Sequence, residues 1–197
     1  MTAPPILLDI PDSLETERLV LRAPRAGDGA ALNAAIRESR QRLRPWLPFA
    51  VKLPSVAETE EWARRAAAAF IQRTALTYVL LLADDESVVG VSELRCRSWD
   101  VPSFELGYWC RTRFEGRGYV GETARALTRL AFEGLGANRV EIRMDARNER
   151  SRRVAERAGY RLEGTLHNDM RDLQGGLRDT LVFALLPDEH RRLLEGR

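Results

Sequence analysis

The alternation of apolar and polar residues predicts a strand, a turn and a helix between Phe104 and Gly136. Phe104–Cys110 alternates as a half-buried strand does. The face that we expect to be buried carries Phe104, Leu106, Tyr108 and Cys110. Gly116 and Gly118 then interrupt the pattern. From Tyr119 onward, apolar residues recur at the spacing of an amphipathic helix.

The same periodicities divide the rest of the chain into short strands and helices. The predicted strands are Arg18–Ala23, Thr77–Ala83, Val88–Arg97, Arg139–Asp145, Tyr160–Leu166 and Thr180–Leu186. The predicted helices follow the N-caps Asp28, Ser55 and Asn148. This order is typical of a mixed α/β sheet in a single domain. We assign residues 15–187 to that domain, residues 1–14 to a flexible lead and residues 188–197 to a charged tail.

Composition narrows the choice of partners. The chain has 197 residues, of which 44% are hydrophobic and 30% charged, an ordinary globular mixture. Its formal net charge of +2 favours neither a nucleic-acid nor a membrane partner. Since no apolar run approaches the length of a membrane helix, we expect a cytoplasmic protein. Cys96 and Cys110 lack the spacing of a disulfide framework or a metal site, so we expect no metal.

The segment Gly116-Arg117-Gly118 lies where a predicted helix begins. The first N–H groups of a helix have no partner inside the helix, and they carry the positive end of its dipole. Glycine allows a ligand to approach the backbone closely. We therefore interpret this turn as an anion site for a pyrophosphate.

Four short motifs follow one another along the chain: ELGYW (Glu105–Trp109), EGRGY (Glu115–Tyr119), NERS (Asn148–Ser151) and AGYRLEGTL (Ala158–Leu166). In this order and spacing they resemble the GNAT family of acyl-CoA-dependent N-acyltransferases, and within it the RimJ/RimL branch that acetylates protein N-termini. The family's turn has the form Q/R-x-x-G-x-G/A. In the register that we favour, Glu115 and Val120 depart from it. Because backbone donors matter most in this turn, we expect the site to persist, with Glu115 pointing outward.

The resemblance implies a GNAT fold in which coenzyme A lies between two splayed strands, here Phe104–Cys110 and Arg139–Asp145. The pantetheine arm would pair with the backbone of Trp109–Arg111, and the pyrophosphate would meet Gly116–Val120. The residues implied to bind acetyl-CoA are Trp109, Cys110, Arg111, Gly116, Arg117, Gly118, Tyr119, Val120, Asn148 and Ser151.

Two residues are candidates for proton transfer. By resemblance, the Ser151 hydroxyl would donate to the departing thiolate, although Asn148 and Ser151 are explained equally well as the start of a helix. Glu105 is the candidate to order or deprotonate the attacking ammonium, and the alternative is a salt-bridged sheet residue. An α-amine has a pKa of about 7.7–8.0 and is partly neutral at pH 7, so it needs only a modest base.

Trp46 and His167 are candidates for contact with the acceptor. Alternatively, Trp46 and Phe49 fill a gap between two helices, and His167 is a surface histidine. Neither cysteine has a histidine at a spacing that indicates a catalytic Cys–His pair. We therefore expect direct transfer of the acetyl group to the amine, without an acyl-cysteine intermediate.

The sequence therefore predicts an acetyl-CoA-dependent N-acetyltransferase that acts on the α-amine of a protein or peptide. A small amine, such as a polyamine or an amine-bearing antibiotic, is the alternative acceptor. A non-catalytic acyl-CoA-binding module is a third interpretation, raised by the departures at Glu115 and Val120. The resemblance also makes a homodimer an expectation.

Overall fold

The computed structural model describes residues 4–196, so residues 1–3 of the predicted lead and residue 197 of the predicted tail lie outside it. Within the described residues, eight strands form one sheet: β1 (Ser13–Glu15), β2 (Leu19–Arg22), β3 (Ala75–Leu82), β4 (Val88–Ser98), β5 (Ser103–Cys110), β6 (Arg139–Asp145), β7 (Arg161–Arg171) and β8 (Leu177–Leu185). Five α-helices accompany them: α1 (Gly29–Leu43), α2 (Val56–Ile71), α3 (Tyr119–Arg129), α4 (Glu149–Arg157) and α5 (Pro187–Glu195). The predicted mixed α/β fold class is confirmed.

The sheet opens in its middle. Its strands lie in the order β1-β2-β3-β4-β5-β6-β8-β7, and every neighbouring pair is antiparallel except β5 and β6. These two parallel strands pair only where Ser103–Glu105 faces Arg139–Glu141. Beyond that point they separate, which is the splay that the family resemblance implied.

Successive side chains along each strand point to opposite faces of the sheet, and a hydrophobic core packs on each face. On one face, Phe104 and Leu106 of β5 pack with Leu127 of α3 and Ala155 of α4. On the other face, a smaller cluster joins α1 and α2 to β3 and β4 through Leu32, Ala63, Val79 and Val91. Trp109 of β5 packs against this second cluster. The open part of the sheet therefore lies between two helical layers.

The helix starts agree with the sequence, with one difference in detail. Ser55 forms a reciprocal capping box with Glu58, and Asn148 accepts a hydrogen bond at the start of α4. Asp28 precedes α1 but makes no side-chain cap. Its carboxylate instead binds the Arg22 guanidinium at 2.6 Å, because an ion pair with a neighbouring strand satisfies the oxygens that a cap would use.

Both ends of the described chain are more structured than the periodicity predicts. The short strand β1 pairs with β2, Ile10 is buried, and the Tyr78 hydroxyl donates to the Pro11 carbonyl at 2.7 Å. At the other end, α5 buries His190, whose ring stacks on Phe132 at 4.9 Å. No helix among residues 4–196 combines the length and apolar character needed to cross a membrane.

Candidate active site

The splay leaves one edge of β5 without a neighbouring strand. Past Glu105, β5 remains paired with β4, but within residues 4–196 no strand pairs with its other edge. An extended ligand can add to such an edge as a further strand through main-chain hydrogen bonds. Trp109 and Cys110 lie on this edge and Arg111 follows them, so the structure brings these three predicted cofactor residues together.

The glycine turn leads directly into α3. Gly116 and Gly118 have φ values of +76° and +85°, a backbone region that favours glycine, and Gly118 is the N-cap of the helix. A Cβ built on Gly116 would meet no atom within 4 Å, so the turn faces open space. Tyr119 and Val120 start the helix, where N–H groups lack partners inside it. Arg117 is exposed between the glycines. The turn has the geometry of the predicted anion site.

Helix α1 anchors the loop between β5 and this turn. The Glu38 carboxylate accepts hydrogen bonds from Arg111 at 2.9 Å and from Arg113 at 3.0 Å, and the Thr112 amide donates to the Ser39 hydroxyl at 2.9 Å. Hydrogen bonds from Arg113, then Arg111, outweigh desolvation and lower the pKa of Glu38 to about 2. The carboxylate is therefore ionised at neutral pH and fixes the loop.

The connection between β1 and β2 anchors the turn from the other side through Glu122, in the first turn of α3. Burial opposes ionisation of Glu122, but hydrogen bonds from Thr16 and Arg18 outweigh it and lower the pKa of the carboxyl group. Arg18 also donates to the Arg117 carbonyl at 3.0 Å and lies 4.6 Å from the centre of the Tyr119 ring. The start of α3 is thus held in place before any ligand binds.

Contrary to expectation, Glu115 does not project freely outward from the turn. Its side chain, 25% exposed, pairs with Arg150 at the start of α4 and lies 3.8 Å from Arg42 of α1. The two guanidinium groups more than neutralise the carboxylate charge, and Glu115 joins α1, the turn and α4 together. The departure from the family pattern is accommodated by this ion-pair cluster.

Asn148 and Ser151 sit together at the start of α4, as the NERS motif predicts. The Ser151 amide donates to the Asn148 side-chain oxygen at 3.1 Å, which is the predicted cap. The Ser151 hydroxyl lies 3.0 Å from the Tyr108 hydroxyl of β5. Burial, partly offset by the hydrogen bond to Ser151, raises the pKa of Tyr108 to about 12, so the phenol keeps its proton at neutral pH. Sequence reasoning assigned Tyr108 to the buried face of its strand and did not single out its hydroxyl, which lies beside Ser151.

Glu105 is the last residue of β5 that pairs with β6, where it lies opposite Glu141. Its carboxylate lies 3.4 Å from Arg97, which is also 3.9 Å from Glu141. The residue therefore stands at the mouth of the splay and has an ion-pair partner, so its geometry is compatible with both roles considered for it.

A pocket of about 290 Å³ lies between α1, α2, the loop that joins them and the strands β4 and β5. Phe49 of that loop lines it and meets the Trp109 ring edge-on at 6.2 Å. Trp46, the predicted contact, is half-buried and is not among the lining residues. The loop thus contributes an aromatic side chain, but a different one from that predicted.

His167 and Cys96 lie apart from these features, whereas Cys110 lies on the open edge of β5. His167 is 77% exposed on β7, with Nδ1 3.0 Å from Asp179, which fits the surface alternative. Burial and the charge of Glu115 raise the pKa of the Cys110 thiol to about 12, so the thiol is a poor nucleophile at neutral pH. Burial also raises the pKa of Cys96.

A sheet that separates beside the N-terminus of a helix offers a strand-like ligand edge and an anion site in one cleft, the arrangement of acyl-CoA-dependent N-acyltransferases. The model of the acetyltransferase (GNAT) domain matches residues 18–161 of the chain. The chain therefore belongs to the GNAT acetyltransferase family. It is an enzyme rather than a non-catalytic binding module, and its acetyl donor is acetyl-CoA.

Similar proteins extend over almost the whole chain. A Bacillus subtilis (strain 168) protein named as a ribosomal N-acetyltransferase, YdaF, is 32% identical over 179 residues, which are 88% of this chain and 93% of that protein. A crystal structure described as an acetyltransferase is 30% identical with a TM-score of 0.83, covering 90% of this chain and 98% of its own. RimL, a ribosomal L7/L12 α-N-protein acetyltransferase in complex with coenzyme A, shares the fold at 23% identity and a TM-score of 0.80, covering 91% of this chain and 98% of its own.

The residues of this chain fit the donor. The unpaired edge of β5 suits an extended pantetheine arm, and the open turn at Gly116 and Gly118 suits a pyrophosphate. Arg117 and Arg150 add positive charge near that turn.

Proposed function

We propose that this acetyltransferase modifies the α-amine of a protein or peptide N-terminus. The observation that supports the proposal is the pocket beside Gly107 and Trp109, which lies on the α1–α2 side of the splay. The glycine turn and Ser151 belong to α3 and α4, on the other side. An amine and acetyl-CoA can then approach the opening from opposite faces of the sheet. The name of YdaF, which gives a ribosomal N-acetyltransferase, supports a protein acceptor.

Each predicted cofactor residue has a role in this proposal. The backbone of Trp109, Cys110 and Arg111 pairs with the pantetheine arm. The pyrophosphate binds at the turn and the start of α3, through the backbone amides and side chains of the predicted residues Gly116, Arg117, Gly118, Tyr119 and Val120. Asn148 holds the start of α4, so that Ser151 faces Tyr108.

The chemistry needs a proton to leave the amine and another to reach the sulfur. Acetyl-CoA, when bound, supplies an activated acetyl group and a thiolate leaving group. Ser151 donates a proton toward the sulfur, Tyr108, 3.0 Å away and protonated at neutral pH, replaces it, and water then returns a proton to Tyr108. Glu105 accepts the ammonium proton at the mouth of the splay, directly or through water. A modest base suffices, because an α-amine is already partly neutral at pH 7.

Titration calorimetry with acetyl-CoA is the first test. We expect micromolar binding of acetyl-CoA and no comparable binding of NAD or ATP. Gly118→Ala should weaken the binding at least tenfold, because it strains a left-handed position and places a methyl group in the turn. Gly27→Ala is the matched control, since Gly27 has a φ of +98° and open space around it but lies in the connection before α1 and not in the turn.

Thiol release with defined amines then decides the acceptor. The enzyme should release CoA from acetyl-CoA when it is given peptides with free N-termini. It should release none with the same peptides whose N-termini are blocked. Turnover of spermidine with no turnover of any peptide would replace the proposal by the small-amine alternative. A homodimer and a cytoplasmic location remain predictions of the sequence.

A further inference from the structure

Glu93 of β4 lies where the acceptor pocket meets the splay. In the register of β4 and β5 it faces Gly107, while its neighbours along the same face, Val91 and Arg95, oppose Trp109 and Glu105. A Cβ built on Gly107 would meet no atom within 4 Å, so there is open space over the strand beside the Glu93 side chain. Glu93 also lines the pocket. None of the sequence motifs contains it.

Two partners hold the Glu93 carboxylate. The buried Thr77 hydroxyl donates to one oxygen at 2.8 Å, and the Arg95 guanidinium lies 3.1 Å from the other. The Glu93 side chain is nevertheless 26% exposed. A carboxylate offers about four lone-pair positions, so two remain for a ligand that donates hydrogen bonds. A fixed, partly exposed carboxylate beside an opening for an amine is suited to bind an ammonium group.

The remaining wall of the pocket is mostly apolar. It is formed by Leu32 and Ile36 of α1, Phe49 of the connecting loop, Trp62 of α2, and Val91 and Trp109 of the sheet. Trp62 is 40% exposed although it is a large aromatic residue, so a ligand that covered it would remove apolar surface from water. The pocket thus combines one ammonium site with an apolar cavity.

The charges of the pocket disfavour a polyamine. Arg95 also lines it, and it would repel a second ammonium group close to Glu93. Further from Glu93, a second ammonium would lose water against aromatic and aliphatic side chains, which is costly without a partner. Glu58 also lines the pocket, but its carboxylate is held in the helix cap by the Ser55 amide, where the positive end of the α2 dipole offsets part of its charge. A single amine on an apolar group matches these surroundings better.

We propose that Glu93 binds the acceptor's ammonium group, and that the apolar wall selects peptides whose first residue has a large apolar side chain. This inference rests on the proposed function and makes its substrate class specific. Glu93 acts here as a binding and specificity-determining residue, and the proton transfers stay with the groups described above.

Steady-state kinetics with a peptide series tests the inference. The peptides differ only in a first residue of Phe, Leu, Ala, Ser or Asp. We expect kcat/KM to be at least tenfold higher for Phe and Leu than for Ser and Asp. Glu93→Gln keeps the shape of the side chain but removes the charge, so KM for the peptide should rise about tenfold while KM for acetyl-CoA stays the same. Glu61→Gln, on the exposed side of α2, is the matched control.

Two further measurements separate the possible failures. Gly107→Ala fits the open space over the strand and narrows the approach to Glu93, so it should also raise KM for the peptide. Equal kcat/KM for all first residues, or an unchanged KM in both variants, would overturn the inference but leave a peptide acceptor in place. If no peptide is acetylated, the proposed function fails. Calorimetry of the CoA-bound protein then judges the inference, which is overturned if phenylalanine amide binds no more tightly than serine amide.

Discussion

Tyr108 and Ser151 place two hydroxyl groups 3.0 Å apart between β5 and the start of α4. Ser151 comes from a recognisable motif, whereas Tyr108 lies on a strand face that periodicity assigns to the core. The hydroxyl of Tyr108 gains a polar partner only because the chain returns 43 residues later. The same holds for Glu93, whose proposed role depends on its register with Gly107. Sequence patterns therefore predict residues with local roles better than residues whose partners are distant.

Removing either hydroxyl should slow the reaction without affecting binding of the donor. If Ser151 protonates the sulfur, Ser151→Ala should lower kcat about 100-fold, the usual scale of a lost general acid. Tyr108→Phe should lower it less, because Ser151 can still exchange its proton with water. KM for acetyl-CoA should change little in both variants. The measurement is the pH dependence of kcat for each variant.

The double variant provides the control for this pair. If the two hydroxyls act in series, Tyr108→Phe combined with Ser151→Ala should be no slower than Ser151→Ala alone. Multiplied losses would show that they act independently. An unchanged kcat in Ser151→Ala would reduce Ser151 to the start of a capped helix.

The loop between β5 and α3 depends on α1, which precedes it by about 70 residues in sequence. The strands and helices that flank this loop follow from local periodicity, and the caps at Ser55 and Asn148 follow from local motifs. The contacts of Glu38 with Arg111 and Arg113 have no such pattern. With arginine so abundant in the sequence, no ion pair can be chosen from charge alone. The elements were thus predictable, but their anchors were not.

Glu38→Gln should destabilise the protein at neutral pH and leave it unchanged in strong acid. The carboxyl has a pKa of about 2 in the folded state, below its ordinary value of 4.5. Its stabilising effect is therefore complete above about pH 4.5 and is lost as the pH falls toward 2. Because the side chain is 29% exposed, we expect a loss of only about 1 kcal/mol in the free energy of unfolding at pH 7. Urea unfolding at pH 7, 5 and 3 measures it.

Glu61→Gln is a suitable control for this prediction. Glu61 pairs with Arg65 on the surface of α2 and is 60% exposed, so its loss should cost no more than about 0.5 kcal/mol. A Glu38 variant with the same small loss at every pH would show that α1 does not anchor the loop. KM for acetyl-CoA should rise in Glu38→Gln if the anchor positions the turn.

The opening of the sheet lies between two helical layers, α3 and α4 on one face and α1 and α2 on the other. In the proposed function, α3 and α4 serve the donor, α1 and α2 serve the amine, and the splay is where they meet. The sequence predicts this arrangement through its resemblance to a family rather than through periodicity. Three paired positions followed by separation leave no pattern of apolar residues that differs from an ordinary strand pair. The packing of α5 escapes prediction for a similar reason, since it depends on distant partners, whereas the three residues of β1 are too few to show a periodic pattern.

Helix α5 closes the core of the α3 half, although its sequence is that of a charged tail. His190 is buried against Phe132, and its Nε2 lies 3.1 Å from Glu133. Leu193 packs directly over Gly159, where a larger side chain would collide with it. A chain that ends at Leu186 loses these contacts and exposes the apolar surface beneath them. Such a loss is worth about 2 kcal/mol, which corresponds to a fall in Tm of roughly 5 °C for a chain of this size.

Differential scanning calorimetry of the truncated chain measures the contribution of α5. Arg191→Ala in the full chain is the control, since Arg191 is 71% exposed and its ion-pair partner within residues 4–196 is Asp188 of the same helix, so its Tm should not move. The truncated chain should still bind acetyl-CoA, because Glu38 and Glu122 anchor the turn. Their partners, Arg111 and Arg18, do not belong to α5. An unchanged Tm would mean that residues after Leu186 are a surface tail, as their charge predicts. A lower Tm with unchanged binding would show that α5 stabilises the half of the protein that holds the donor without shaping the donor site itself.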